Sequence, residues 1–379
     1  MKVLVIPSWY PNGTDKLMGI YHKEYAYALT KMGIDVDMLY VYRQRLSNPF
    51  KYLFMKKREI DIEETYKVYK ILMLDVEKLN IKLFVRNYIN KLDKLYNEYI
   101  KENGKPDILH AEVTFPAGYA VCLLGKKYNI PVVVTEHSSN FMKFFEGKYE
   151  RYGKYVLDNS KYTTVSDLMR KQIKDLKSDV CLIPNLVDTE SFKSKKENNG
   201  NTLNLVTVSA FRVGKGIEYL IEALSILVKK NMNVHLNIIG DGYLMNNYKD
   251  IAKEFNMEKY ITFYGQKTKK EIIDILPKND IFVIPSTYES FCIPGVEALA
   301  SGLPIVSTKC YGPEEYIDSE CGEFCEIKNP VSLSNAIIKV YKKLDKYDIN
   351  HLRKVADKYS YKKVCSDAIK IYNELLKID

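Results

Sequence analysis

Two successive series of short apolar runs constrain the fold of this chain more than any other feature of its sequence. The first series occupies positions 2–8, 35–41, 107–111, 131–137, 162–166 and 179–185, and the second occupies positions 203–209, 234–240, 261–265, 280–286 and 304–308. Runs rich in Val and Ile, each followed by a loop and a segment with helical spacing, are typical of buried parallel strands in βα units. Two series in succession predict an α/β fold with two doubly wound, Rossmann-like domains.

A polar stretch rich in Lys, Asn and Gly, at 193–202, separates the two series. We interpret it as a linker between an N-terminal domain (1–192) and a C-terminal domain (203–358). We expect a terminal helix within 359–379, capped by Ser360, with the apolar face Val364, Ala368, Ile371, Tyr372 and Leu375. This helix either completes the second domain or packs back onto the first.

The composition limits the classes of protein to which this chain can belong. A hydrophobic fraction of 46% and a charged fraction of 28% are those of a globular protein, and no apolar run is long enough for a spanning helix. The net charge of +9 is spread along the chain, which disfavours a nucleic-acid-binding protein and suits anionic substrates. The seven cysteines are odd in number and scattered, so we expect free thiols and a cytoplasmic location.

One segment combines cations with bulky apolar residues, namely Phe50, Lys51, Tyr52, Leu53, Phe54, Met55, Lys56, Lys57 and Arg58. This combination predicts peripheral contact with the anionic inner face of the cell membrane. The alternative is that the aromatic residues are core and the cations are merely solvated. The following residues Val85, Ile89, Leu92, Tyr96 and Tyr99 recur at helical spacing and predict an ordinary core-facing helix.

The segment 285–304 carries the most informative chemistry. It follows an apolar run and contains Glu289 and Glu297, eight positions apart. On a helix this spacing corresponds to roughly 12 Å, about the reach from a hexose across a diphosphate to a ribose. Carboxylates accept hydrogen bonds from sugar hydroxyls, and a helix N-terminus between them presents N–H groups to phosphate. The pattern at this βα junction favours a nucleotide-sugar site.

Two cations, Arg212 and Lys215, follow the run at 203–209, at the strand end where open α/β sheets bind ligands. They are either solvated loop cations or, as we favour, a clamp on a diphosphate. No Asp-x-Asp motif lies in a predicted active-site loop. We therefore expect cationic side chains and helix dipoles to neutralise the leaving group, with no metal and no cofactor.

Taken in order, the motifs resemble those of retaining glycosyltransferases of family 4, which have the GT-B fold. They are Ser8–Pro11, Gly19–Tyr21, Asp107–His110, Thr135–Ser138, Leu182–Asp188, Phe211–Gly216, Ile239–Gly242, Phe263–Gly265 and Glu289-x7-Glu297 with EALASGLPIV. The resemblance implies an active site in the cleft between two domains. It also implies transfer of a sugar from a UDP- or GDP-sugar to a hydroxyl of a glycan or lipid-linked glycan, in cell-surface polysaccharide synthesis.

The resemblance further implies roles for individual residues. Catalytic roles fall to His137, Arg212, Lys215 and Glu289, and His110 is the acceptor-side candidate. Donor-binding roles fall to Gly19, Arg212, Lys215, Gly265, Glu289, Ser290, Phe291, Cys292, Ile293 and Glu297. In the implied same-face attack, Glu289 positions the sugar, Glu297 holds the ribose, and the departing diphosphate oxygen helps to deprotonate the acceptor.

The chain departs from the family pattern at three positions. Glu112 stands where the family often has the second His of His-x-His, which puts any role at that position in doubt. Tyr311 replaces the first of two paired glycines, so that loop would approach a ligand differently. Leu186 replaces a glycine in the element at the domain junction.

Other classes of function stay open at this point. A nucleotide-sugar epimerase of the same fold would make a new sugar nucleotide without an acceptor, because fold alone does not fix the reaction. A non-catalytic sugar-nucleotide-binding partner subunit would be expected to lose the cations or the glutamate pair. An RNA-binding protein is disfavoured by the diffuse charge.

Overall fold

The computed structural model describes residues 1–11, 18–45, 52, 54–192, 194 and 201–378. The chain forms two compact units, Met1–Leu186 with Val364–Asp379, and Val187–Lys363. The division falls before the predicted domain end at 192, because Phe192 is buried in the core of the second unit. The Val187 N–H also donates a 2.8 Å hydrogen bond to the Tyr359 carbonyl of that unit. Most of the predicted linker, 193–202, lies outside the described residues.

The first unit is organised around an eight-stranded sheet of spatial order β3-β4-β2-β1-β5-β6-β7-β8. The strands are β1 (Lys2–Pro7), β2 (Asp35–Arg45), β3 (Arg58–Ile62), β4 (Lys67–Asp75), β5 (Ile108–Glu112), β6 (Val132–Glu136), β7 (Lys161–Thr164) and β8 (Cys181–Leu182). Neighbouring strands are parallel except β3 and β4, which are antiparallel. Strands β3 and β4 were not predicted from the sequence, because their interspersed charges, which suit the edge of a sheet, conceal the strand pattern.

The helices of this unit fill the βα connections. They are α1 (Ile20–Lys31), α2 (Ile81–Asn103), α3 (Tyr119–Tyr128), α4 (Glu150–Asp158) and α5 (Asp167–Ile173). The predicted core-facing helix is confirmed as α2, which begins after Asn80, whose side chain accepts a 3.0 Å hydrogen bond from the Leu83 N–H. A terminal helix spans Tyr361–Leu376, and its residues from Val364 onward belong to this unit, where Tyr372 is fully buried.

The second unit contains a parallel sheet of spatial order β11-β10-β9-β12-β13-β14. Its strands are β9 (Leu203–Val208), β10 (Val234–Ile239), β11 (Ile261–Gly265), β12 (Ile281–Ile284), β13 (Ile305–Thr308) and β14 (Gly322–Cys325). Its helices are α6 (Ile217–Lys229), α7 (Met245–Glu254), α8 (Lys269–Ile275), α9 (Ile293–Ala300), α10 (Pro330–Tyr341) and α11 (Ile349–Asp357). The prediction of two doubly wound α/β domains is confirmed.

The strand order places one ligand-binding position in each sheet. In the second unit the order reverses at β9, which lies between β10 and β12, and in the first unit it reverses at β1, between β2 and β5. In open α/β sheets, ligands bind outside the carboxyl ends of the strands at such a switch point. The loops after β9 and β12, and those after β1 and β5, are therefore where functional side chains are expected.

Candidate active site

The second unit brings the predicted cations and the first predicted glutamate to its switch point. Arg212 and Lys215 lie in the loop after β9, and Glu289 lies in the loop after β12. The Lys215 ammonium is 2.6 Å from a Glu289 carboxylate oxygen, which also accepts a 2.6 Å hydrogen bond from the Ser286 hydroxyl. The predicted clamp residue Lys215 and the expected sugar contact Glu289 thus form one charged, hydrogen-bonded group in the loops after two adjacent strands.

Lys215 is not the solvated loop cation that the sequence left open as an alternative. Its side chain is 14% exposed, because it lies against Glu289, whereas the side chain of Arg212 is exposed. The Lys215 ammonium is thus paired and largely enclosed, whereas the Arg212 guanidinium faces solvent.

The second predicted glutamate has a partner that the sequence analysis missed. Glu297 on α9 is 4% exposed and forms an ion pair with Lys269, the first residue of α8. The Lys269 ammonium also lies 5.2 Å from the centre of the Phe192 ring. A sequence signal did exist, because Thr268 and Glu271 form a capping box that starts a helix directly after β11.

The remaining donor-binding candidates occupy one short segment before α9. Ser290, Cys292 and Ile293 are half-buried, and Cys292 adopts φ +71° where it caps the helix. Phe291 is buried, and its ring packs against Tyr316 and Tyr359. The side chain of Phe291 is therefore part of the core, and donor binding by Phe291 stays a prediction. Gly265 ends β11.

In the first unit, three of the chain's five histidines converge on one buried carboxylate. The Glu112 carboxylate, at the end of β5, accepts a 2.6 Å hydrogen bond from His137 Nε2. It also lies 3.6 Å from His22 Nδ1 and 3.8 Å from His110 Nε2. Burial alone would raise the pKa of Glu112, but the adjacent imidazoles of His110 and His137 outweigh it and hold that pKa well below its usual range.

The structure corrects the prediction that His110 lies on the acceptor side of the site. Its side chain is fully buried, with Nδ1 2.6 Å from the Tyr372 hydroxyl and Nε2 2.7 Å from the Thr135 hydroxyl. Burial lowers the pKa of His110, so the ring is neutral, and both of its nitrogens have protein partners. It therefore stabilises the packing of the terminal helix and is not available to an acceptor.

His137 lies just after β6 and is nearly enclosed, with a side chain that is 10% exposed. Besides Glu112, it lies 3.0 Å from the Asn185 side-chain oxygen through Nδ1, and it stacks on Tyr21 with ring centres 4.7 Å apart. Both ring nitrogens of His137 therefore have oxygen partners within this unit. A catalytic role for His137 stays a prediction and requires release of one of these partners.

Gly19 precedes α1 and controls the approach of this helix to the loop after β1. It has φ +73°, and a Cβ atom there would lie 2.8 Å from the Trp9 ring. Only glycine tolerates both conditions without a shift of the backbone. This tight approach brings His22, three residues further on, to the Glu112 carboxylate.

His22 is the least satisfied member of this cluster. It is fully buried, and neither ring nitrogen forms a hydrogen bond with the described residues. Burial lowers the pKa of His22 to about 4, although Glu112 acts in the opposite direction. His22, Glu112 and His137 place metal-binding atom types within 4.8 Å of one another, but the direct His137–Glu112 hydrogen bond already pairs two of them.

The chain is similar to known glycosyltransferases over most of its length. Residues 188–363 match the family model for glycosyl transferases group 1, and residues 18–191 match that for glycosyltransferase family 4. An uncharacterized glycosyltransferase of Methanocaldococcus jannaschii is 28% identical over 76% of this chain and 81% of its own length. TuaC of Bacillus subtilis, whose name refers to teichuronic acid biosynthesis, is 24% identical over 89% of each chain.

Solved structures show the same fold. Sucrose-phosphate synthase of Thermosynechococcus elongatus has a TM-score of 0.77 at 16% identity and covers the whole of both chains. HepE of Anabaena, solved in complex with UDP, has a TM-score of 0.75 at 15% identity over 99% of this chain and all of its own. The two α/β units thus have the GT-B fold. The chain belongs to the group 1 glycosyltransferases, with a family 4 N-terminal region.

Proposed function

We propose that this glycosyltransferase moves a sugar from a UDP- or GDP-sugar to a hydroxyl of a glycan acceptor, with retention of the anomeric configuration. The observation that carries the proposal is the Lys215–Glu289 ion pair at the switch point of the second unit, with Arg212 in the same loop as Lys215. Such a group supplies cations for a diphosphate beside a carboxylate for sugar hydroxyls. The UDP complex of HepE supports a uridine donor, and the name of TuaC supports a role in cell-surface polysaccharide synthesis.

Each side chain has a distinct part in this proposal. Arg212 and Lys215 bind the diphosphate and stabilise the charge that develops as it leaves. Glu289, released from Lys215, accepts hydrogen bonds from the sugar, and Glu297 accepts them from the ribose. Lys269, ion-paired to Glu297, fixes that carboxylate in place. The departing phosphate oxygen then takes the acceptor proton on the face from which the diphosphate leaves.

A donor screen followed by product analysis tests this proposal. The melting temperature should rise with the true donor among UDP-, GDP- and ADP-sugars, because a ligand that binds the folded state stabilises it. With a glycan acceptor, the products should be a nucleoside diphosphate and a glycoside of unchanged anomeric configuration. A new sugar nucleotide formed without acceptor would indicate an epimerase, binding without turnover would indicate a partner subunit, and inversion would contradict the retaining mechanism.

The substitution Glu289→Gln tests the sugar contact. It keeps the shape but removes the charge, so each hydrogen bond to a sugar hydroxyl weakens by about 1–2 kcal/mol. We expect a sharp fall in transfer rate and little change in affinity for the bare nucleoside diphosphate. The matched control is Glu323→Gln, since Glu323 is also half-buried and lies 2.7 Å from a lysine ammonium. An equal loss of affinity for the bare diphosphate would contradict a sugar-binding role for Glu289.

The structure refines the proposal of peripheral membrane contact. Phe50, Lys51 and Leu53 lie outside the described residues. Of the others, Phe54 is 88% exposed and Lys56 and Lys57 are exposed, whereas Arg58 is ion-paired with Glu98 at 2.9 Å. Ile60 and Ile62, which the sequence analysis did not single out, are 56% and 81% exposed on the edge strand β3. No helix among the described residues is both long and apolar enough to cross a membrane.

Liposome sedimentation tests this contact. Lysines near an anionic bilayer contribute about 1 kcal/mol each, and exposed apolar side chains can enter the headgroup layer. We therefore expect binding to vesicles with anionic lipid, weakened by salt and lost in the variant Phe54→Ser/Lys56→Ser/Lys57→Ser. The control Lys342→Ser/Lys343→Ser, which changes two exposed adjacent lysines elsewhere, should bind normally. Equal recovery of all three proteins in the supernatant would leave a soluble acceptor as the better hypothesis.

A further inference from the structure

The loop after β13 holds a tyrosine in a backbone conformation that tyrosine disfavours. Tyr311 has φ +79° and ψ −84°, outside the regions that side chains with a Cβ atom readily adopt. Strain of this kind persists where the surrounding structure enforces it, and it is concentrated at ligand-binding sites. Glycine would occupy this conformation at little cost, so the presence of tyrosine calls for a reason.

The surrounding backbone explains how the strain is maintained. The Glu289 N–H donates to the Cys310 carbonyl at 2.8 Å, and the Gly312 N–H donates to the Glu289 carbonyl at 2.9 Å. Gly312 packs so closely that a Cβ atom there would lie 2.5 Å from the Phe291 nitrogen. Tyr311 is therefore fixed directly beside Glu289, the residue to which we assign the sugar contact.

Core packing does not account for the tyrosine. Tyr311 is 45% exposed, and its ring lies 5.2 Å from that of Tyr288, the residue immediately before Glu289. The Tyr288 hydroxyl is buried and has no hydrogen-bond partner among the described residues. Tyr288 thus precedes Glu289 in the chain, and Tyr311 lies opposite Glu289 across a β-bridge. An exposed aromatic ring close to a residue with a carboxylate offers an apolar face and a polar group together, which matches the C–H face and the hydroxyls of a pyranose ring.

We propose that Tyr311, together with Tyr288, forms a wall against which the hexopyranose of the nucleotide-sugar donor packs while Glu289 binds its hydroxyls. The apolar C–H face of the pyranose lies on the exposed Tyr311 ring, and the Tyr288 ring contacts that ring. Tyr311 is then a residue that selects the donor sugar, and this inference rests on the proposed function. It also explains why the chain keeps a side chain where its backbone favours glycine.

The variant Tyr311→Gly tests the proposal by relieving the strain and removing the wall together. We expect its KM for the donor to rise by about tenfold, the scale of a modest contact. Its affinity for the bare nucleoside diphosphate should be unchanged, and its melting temperature should not fall. Tyr311→Phe should behave like the wild type because the ring is retained. The control is Tyr341→Ala, which removes a tyrosine of equal exposure, 44%, on α10.

The outcomes are distinguishable. Four results would each contradict the proposed contact between Tyr311 and the donor sugar. For Tyr311→Gly, they are an unchanged donor KM, a parallel loss of affinity for the bare diphosphate, and a marked fall in melting temperature. The fourth is a loss of donor binding in Tyr311→Phe. All of these are compared with a wild-type enzyme that transfers sugar. If the wild type transfers no sugar from any donor, the proposed function itself has failed.

Discussion

Lys215→Ala should lower the turnover number at saturating donor by roughly 10²-fold or more, the scale of losing one contact to charge that develops in a transition state. Lys215 occupies the loop after β9, where its ammonium lies 2.6 Å from the Glu289 carboxylate. In the proposed mechanism, this ammonium is largely enclosed and stabilises the negative charge that develops as the diphosphate leaves. Arg212 is exposed and is proposed to bind the diphosphate together with Lys215. The loss of Arg212 should therefore raise the KM for the donor more than it lowers the turnover number.

A control is needed because Lys215 is not a free surface residue. Its removal leaves Glu289 without its cation, and an unpaired buried charge can destabilise the fold. Lys70→Ala is a matched control, since Lys70 is 17% exposed and ion-paired with Asp61 in the other unit. We expect Lys70→Ala to keep full turnover and Lys215→Ala to keep a folded thermal transition. A normal turnover number of Lys215→Ala with saturating donor would contradict the assignment of Lys215 to diphosphate binding.

The stability of the first unit should fall as the pH is lowered from 7.5 to 5, and His22 should account for about 2 kcal/mol of the fall. Burial lowers the pKa of His22 from 6.5 to about 4 in the folded state. Below pH 6.5 the unfolded chain therefore binds a proton at this position that the folded chain excludes, which favours unfolding. The stabilisation is present in full above pH 6.5 and is lost progressively as the pH approaches 4.

The measurement is urea unfolding followed by tryptophan fluorescence. The chain has one tryptophan, Trp9, which lies in the first unit with its ring centre 6.2 Å from that of His22. His22→Leu removes the titrating group at similar volume, so its unfolding free energy should lose about 2 kcal/mol less than that of the wild type between pH 7.5 and 5. His351→Leu, in the second unit, should leave the Trp9 transition unchanged. An equal fall in His22→Leu and wild type would show that His22 is not buried in its neutral form.

Much of the site could be predicted because it depends on local sequence. A run of β-branched residues predicts a buried strand, and a parallel strand that is followed by a helix presents its carboxyl end to ligand. That reasoning placed Lys215 and Glu289 at strand ends, and strand order then made them neighbours across 74 positions of the chain. The exposure of Lys215 could not be predicted, because it depends on this pairing.

Local sequence alone determined the two series of strands, the α/β class and the residues at the carboxyl ends of those strands. Only the tertiary structure decided which distant residues meet there. His110 is buried against Tyr372, 262 positions away. Glu297 forms an ion pair with Lys269, the first residue of the helix that follows β11. The convergence of three histidines on Glu112 and the strain at Tyr311 have the same origin. Secondary structure follows from patterns within a few residues, whereas burial and charge pairing depend on contacts that exist only after the sheets have formed.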